Sequence, residues 1–124
     1  MIKRVVDING YWKVIVYYDI DYNLFSIIAN TLYSINCTKH QIETIYNNMF
    51  YKHSKAVTIS SITKKVSVVL FNKHKNYNDY INSIVHESEH IKQSMLYAYN
   101  IEDYGEAPAY TVGYIASQLL MFLL

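Results

Sequence analysis

Ile84-Val85-His86-Glu87-Ser88-Glu89-His90-Ile91 is the stretch on which the fold turns. It places two histidines four residues apart, with a glutamate directly after the first. Residues four apart on a helix differ by about 40° in direction and about 6 Å in height. Two imidazoles so placed can converge on one tetrahedral ion, at nitrogen–metal distances of about 2.0–2.1 Å. The residue after the first histidine points to the flank of the pair. A carboxylate there reaches a water held at the ion and takes its proton.

The helical face supports that reading. With Ile81 set at zero and about 100° added per residue, Ile81, Ile84, Val85, Ser88, Lys92, Met95 and Tyr99 cluster around one direction. His86 then falls near about 140°, His90 near about 180° and Glu87 near about 240°. The histidines are expected opposite the apolar stripe, as a site in a cleft requires. Histidines that only filled a core would lie within the stripe.

Two such ligands need a third. Glu102, Asp103 and Glu106 follow downstream. Glu106 opens a second helix as Gly105-Glu106-Ala107-Pro108-Ala109-Tyr110, and the short connection from Tyr99 makes the two helices neighbours. Ala109, Gly113, Ala116 and Ser117 lie near the direction of Glu106 and permit close backbone approach. A competing role is a capping box from Asp103 to Glu106. That would place Pro108 at the fifth helical position, where its missing N–H costs a hydrogen bond. Glu106 is therefore the expected third ligand, with Asp103 and Glu102 as the alternatives.

Upstream, Lys3 to Ile8 and Tyr11 to Tyr18 flank Asn9-Gly10, a strong β-hairpin signal. Asp19 or Asp21 caps a predicted helix through Asn36, with Leu24, Ile27, Ile28, Leu32 and Ile35 at helical spacing. Thr38-Lys39-His40-Gln41 is a capping box for a second helix carrying Ile42, Ile45, Met49 and Phe50. Ala56 to Ile62 and Val66 to Phe71 read as strands joined by a turn at Thr63-Lys64-Lys65. The motif helix is expected from a cap at Asn78 or Asp79 to about Tyr99. A polar connection from Asn100 to Gly105 leads into the final helix. The fold class is α+β: an N-terminal hairpin, two helices, short strands, the motif helix and a C-terminal helix.

Composition bounds the rest. The chain has 124 residues, 52% of them hydrophobic and 17% charged, with a net charge of +1. That fits one domain over residues 1–124 and excludes a disordered chain. Near-neutral charge argues against nucleic acid as a partner. The lone Cys37 excludes an internal disulfide and reads as a small buried hydrophobe. The start lacks a signal-peptide core, and a cytoplasmic location is expected. The apolar run Leu119-Leu120-Met121-Phe122-Leu123-Leu124 is too short to span a bilayer and reads as a core or interface segment. His40, His53 and His74 read as surface or helix-end histidines, Lys73-His74-Lys75 as a solvated loop, and Glu89 as a solvated charge.

His86-Glu87-Ser88-Glu89-His90 followed by Glu106 resembles the gluzincin branch of the zincin metallopeptidases. Gly and His do not follow His90 at the metzincin offsets. Together with Val68-Val69-Leu70-Phe71, the pattern also resembles small zincin-like proteins encoded by phages and mobile elements. The resemblance covers about residues 66–118. It implies zinc on His86, His90 and Glu106, with Glu87 as general base for hydrolysis of a peptide or amide bond. It implies an edge strand, Val66 to Phe71 or its hairpin partner, that pairs with an extended protein or peptide substrate. Tyr97, Tyr104 and Tyr110 are candidates to assist the oxyanion. The alternative is a structural or assembly protein, such as a virion component, that keeps the scaffold without turnover and associates through its apolar C-terminal helix.

Overall fold

The structure, a computed structural model, describes residues 1–123. β1 (Ile2–Ile8) and β2 (Trp12–Tyr18) form the opening hairpin, with Ile8 opposite Trp12. Asn9 and Gly10 take φ of 52° and 77°, and Tyr11 N–H donates to Ile8 O at 2.9 Å. Both turn residues thus need the left-handed region that Asn and Gly tolerate best.

Asp21 caps a 3₁₀ turn, Tyr22–Leu24, which leads into α1 (Phe25–Ser34). Ile28, Leu32 and Ile35 are buried as expected, whereas Leu24 and Ile27 are exposed. Asp19 lies outside the helix at φ 52°. α2 (Lys39–Tyr46) starts at the anticipated box: Gln41 N–H donates to Thr38 Oγ1 at 3.2 Å, and Thr38 N–H donates to Gln41 Oε1 at 2.7 Å. It runs on into a π-helical turn, Asn47–Tyr51.

β3 (Ala56–Ser61) and β4 (Val66–Phe71) complete a four-stranded sheet of order β1-β2-β4-β3. β4 pairs parallel with β2 and antiparallel with β3. It is therefore central, and β3 is the edge strand beside it. Both faces of β4 are buried. Val68 and Leu70 join Tyr17 against α1 and α2, while Val69 and Phe71 join Val14, Val16 and Tyr18 on the other side.

The second side is covered by α3 (Tyr77–Ala98) and α4 (Glu106–Leu120). α3 starts two or three residues earlier than expected, because Asn76 accepts from Asp79 N–H at 2.9 Å and is the N-cap. α4 starts from Gly105, whose φ of 89° no L side chain adopts easily. Asp103 is not its cap. It pairs with Lys92 at 2.7 Å, and so does Glu89, which is thus a paired charge. Leu119 is buried, and Phe122 stacks on Tyr18 at 4.1 Å between ring centres. The end of the chain therefore packs into the core as far as Leu123, while Leu124 of the apolar run lies outside the described residues. Among the described residues, no helix is long and apolar enough to cross a membrane.

Candidate metal centre

The buried arc of α3 includes Tyr80, Ser83, Ile84, Glu87, Ser88, Ile91, Lys92, Met95 and Leu96. On the helical wheel this arc is turned by about 50° from the expected stripe. The cause is a helix packed against both the sheet and α4. Val85 is pushed out into solvent, and Glu87 is drawn under the helix to 5% exposure. His86 and His90 remain on the open flank.

The two imidazoles face one another. Their Nε2 atoms are 3.2 Å apart and their ring planes cross at 79°. Two nitrogens bound to one tetrahedral zinc are separated by about 3.3–3.4 Å, from bond lengths of about 2.0–2.1 Å. The pair is preset within a fraction of an ångström of that spacing. Glu87 Oε2 lies 3.9 Å from His86 Nε2, and Glu87 Oε1 accepts from Thr58 Oγ1 at 2.9 Å. The motif therefore turns its carboxylate inward beside the nitrogens, held by a hydroxyl from β3. Thr58 was not singled out from the sequence. Its only signal was its place on the same strand face as Ala56 and Ser60, which became meaningful once β3 lay beside α3.

The donor set suits a cation. Glu87 is a nearly buried carboxylate with one hydroxyl donor, and burying such a charge is costly without a compensating positive group. Two neutral imidazoles can share only one proton across a 3.2 Å contact, whereas both lone pairs can serve an ion. A divalent ion at the pair would satisfy both lone pairs and the carboxylate charge.

A cleft of about 570 Å³ opens at this point between β3 and α3, with Thr58, Ser60, His86, Glu87, His90 and Tyr97 among its walls. Glu106 is exposed at the first position of α4 and does not line the cleft. Its charge there is favourable for the start of the helix. Asp103 is engaged by Lys92, and Glu102 is exposed. Among the described residues, no group of three or more His, Cys, Asp or Glu side chains stands together as a metal site. Tyr97 lines the cleft, while Tyr104 and Tyr110 are exposed away from it.

No family model, curated protein or solved structure matches this chain.

Proposed function

We propose that the chain is a zincin-like hydrolase of peptide or amide bonds, with zinc on His86 and His90 and Glu87 as the general base. The observation that carries this reading is the meeting of the two Nε2 atoms at 3.2 Å, with the Glu87 carboxylate 3.9 Å from one of them. A zinc ion held there would lower the pKa of water toward about 7 and polarise the scissile carbonyl. Glu87 takes a proton from the attacking water as its oxygen adds to the carbonyl carbon. As the carbon–nitrogen bond breaks, Glu87 passes that proton to the leaving amine. Thr58 keeps the carboxylate aimed through this exchange. The free edge of β3 offers main-chain groups to an extended substrate. Glu106 is the third ligand on this reading, and it would reach the pair only if the first turn of α4 moved in.

The test is zinc content of the purified protein, followed by hydrolysis of peptide libraries by the wild type and Glu87→Gln. The reading expects one bound zinc, and cleavage that Glu87→Gln abolishes. Cleavage that survives Glu87→Gln would contradict it.

A second reading is a non-catalytic assembly protein. Exposed aromatic side chains favour it: Tyr97, Tyr104 and Tyr110 are 75–78% exposed, in keeping with a protein–protein surface. Bound zinc without cleavage of any peptide would favour this reading over the first.

A further inference from the structure

The cleft is not uniform along its length. On one side of His86 and Glu87 it continues into a second hollow of about 360 Å³ toward the start of α3, lined by Lys55, Asp79, Asn82 and Ser83. On the other side it runs out past Gln93, Ile62 and Tyr97. The two imidazoles thus separate a charged compartment from an uncharged one, in which Ile62 and Tyr97 stand among Ser60, Gln93 and Ser94.

The charged compartment opens beside a concentration of positive charge. Asn72 N–H donates to Lys55 O at 3.0 Å, just beyond the Ala56–Phe71 pair that ends the β3–β4 ladder. The segments Lys52-His53-Ser54-Lys55 and Lys73-His74-Lys75 therefore run side by side at this end. Lys52, Lys55, Lys73 and Lys75 are all exposed. One acid facing them is Asp79, 3.8 Å from Lys55 in a pair that is open to water. Asp19, nearby through Tyr80, accepts the Tyr80 hydroxyl at 3.2 Å. Lys55 lines the hollow itself, together with Asp79 and Glu87, and the four lysines of the two segments against the carboxylates of Asp79, Asp19 and Glu87 leave a net positive balance at this mouth. The lysines at the far end of the same hairpin are engaged elsewhere. Lys64 Nζ donates to Ser34 O at 2.8 Å, and Lys65 lies over the Tyr99 ring.

We propose that the cleft takes an extended peptide that is acidic on the side facing the start of α3 and apolar or aromatic on the other side. The proposal rests on the reading of this cleft as a peptide site. A peptide suits it better than a nucleic acid strand, because β3 offers an unpaired strand edge that only another main chain can match.

The experiment measures binding separately from turnover. Fluorescein-labelled ten-residue peptides, half Glu-rich and half Leu/Phe-rich, are titrated by anisotropy into full-length zinc-loaded Glu87→Gln. The acidic peptide is expected to bind about tenfold more tightly than its Gln isostere at low salt. That preference should shrink at about 0.5 M salt, where screening is strong. The triple variant Lys55→Glu, Lys73→Glu, Lys75→Glu should lose it, and circular dichroism reports whether that variant is folded. Lys73→Gln alone should reduce it in part. Equal binding of the two peptides, no binding of either, or an undiminished preference in the folded triple variant would overturn the proposal. So would an oligothymidylate that binds more tightly and displaces the peptide. Cleavage by the wild type is scored independently. Acidic preference without cleavage sinks the hydrolase reading alone, and cleavage without acidic preference sinks this proposal alone.

Discussion

The two faces of the sheet are built from different materials. Against α1 and α2 the buried cluster is apolar, from Tyr17, Ile28 and Leu32 to Ile45, Met49 and Leu70. Among the described residues, the buried polar or charged side chains are Ser67, Ser83, Glu87, Ser88 and Lys92. All of these lie on α3 or on the sheet face beneath it. Each has a partner: Trp12 Nε1 donates to Ser67 at 2.9 Å, Ser88 donates to Ile84 O at 2.7 Å, and His74 meets Ser83 at 2.7 Å. Buried polar groups are costly unless paired, so their concentration on one face, each with its partner, sets that face apart from the other. The α1/α2 face anchors the sheet, and the α3 face carries the proposed site.

Substitutions on each face should therefore separate stability from activity. The largest effect is expected from Glu87→Gln. The amide oxygen can still accept from Thr58, so the melting temperature should barely move while turnover falls by about 10²–10⁴-fold. A large loss of stability in this variant would erase the contrast. Leu32→Ala on the opposite face should do the reverse. It should cost about 2–5 kcal/mol in denaturant unfolding and leave zinc affinity unchanged.

Glu106→Ala sharpens the comparison at its edge. If the start of α4 supplies a ligand, zinc affinity should fall about tenfold, or about 1.4 kcal/mol. An unchanged affinity would leave the ion on the two histidines alone. Lys92→Met removes the cation shared by Glu89 and Asp103. Those acids are each about 40% exposed, and water can replace much of what they lose, so the expected cost is only about 1–2 kcal/mol. The hydrogen bonds to Asp103 and then Glu89 raise the Lys92 pKa. The stability this provides is fully present below the unfolded lysine value of about 10.4 and is lost as pH rises through the folded value. Urea midpoints of the wild type and Lys92→Met should therefore converge as pH rises through the folded lysine value, which lies above the unfolded one. Thr58→Val should show the smallest effect: a several-fold drop in turnover with little change in zinc affinity, because it only aims Glu87.

What was legible in the sequence was local. Asn9-Gly10 specified its hairpin through positive φ, and Thr38 with Gln41 specified its cap, because both signals act within four residues. The helix bearing His86 and His90 was equally plain. The α+β class followed from the order of these elements. The features that escaped depend on distant contacts. That β4 would lie between β2 and β3, and pair parallel with β2, depends on what packs on both of its faces. The turn of α3 that buries Glu87 and exposes Val85 comes from the joint demands of the sheet and α4. Glu106 has a spacing that allows a ligand, yet the structure sets it at the outer start of α4. Asn76 outcompeted Asn78 and Asp79 as the cap, since the chain leaves β4 at Phe71 and needs only five residues to reach α3.

The most direct test is a zinc titration by calorimetry of the wild type, His86→Ala and His90→Ala, with unfolding followed in parallel. The expected result is one site in the wild type, at least a hundredfold weaker binding in either variant, and a melting temperature that zinc raises only in the wild type. Zinc affinity that persists in His86→Ala, or a wild type that neither binds zinc nor responds to a chelator, would contradict a metal held between these two imidazoles.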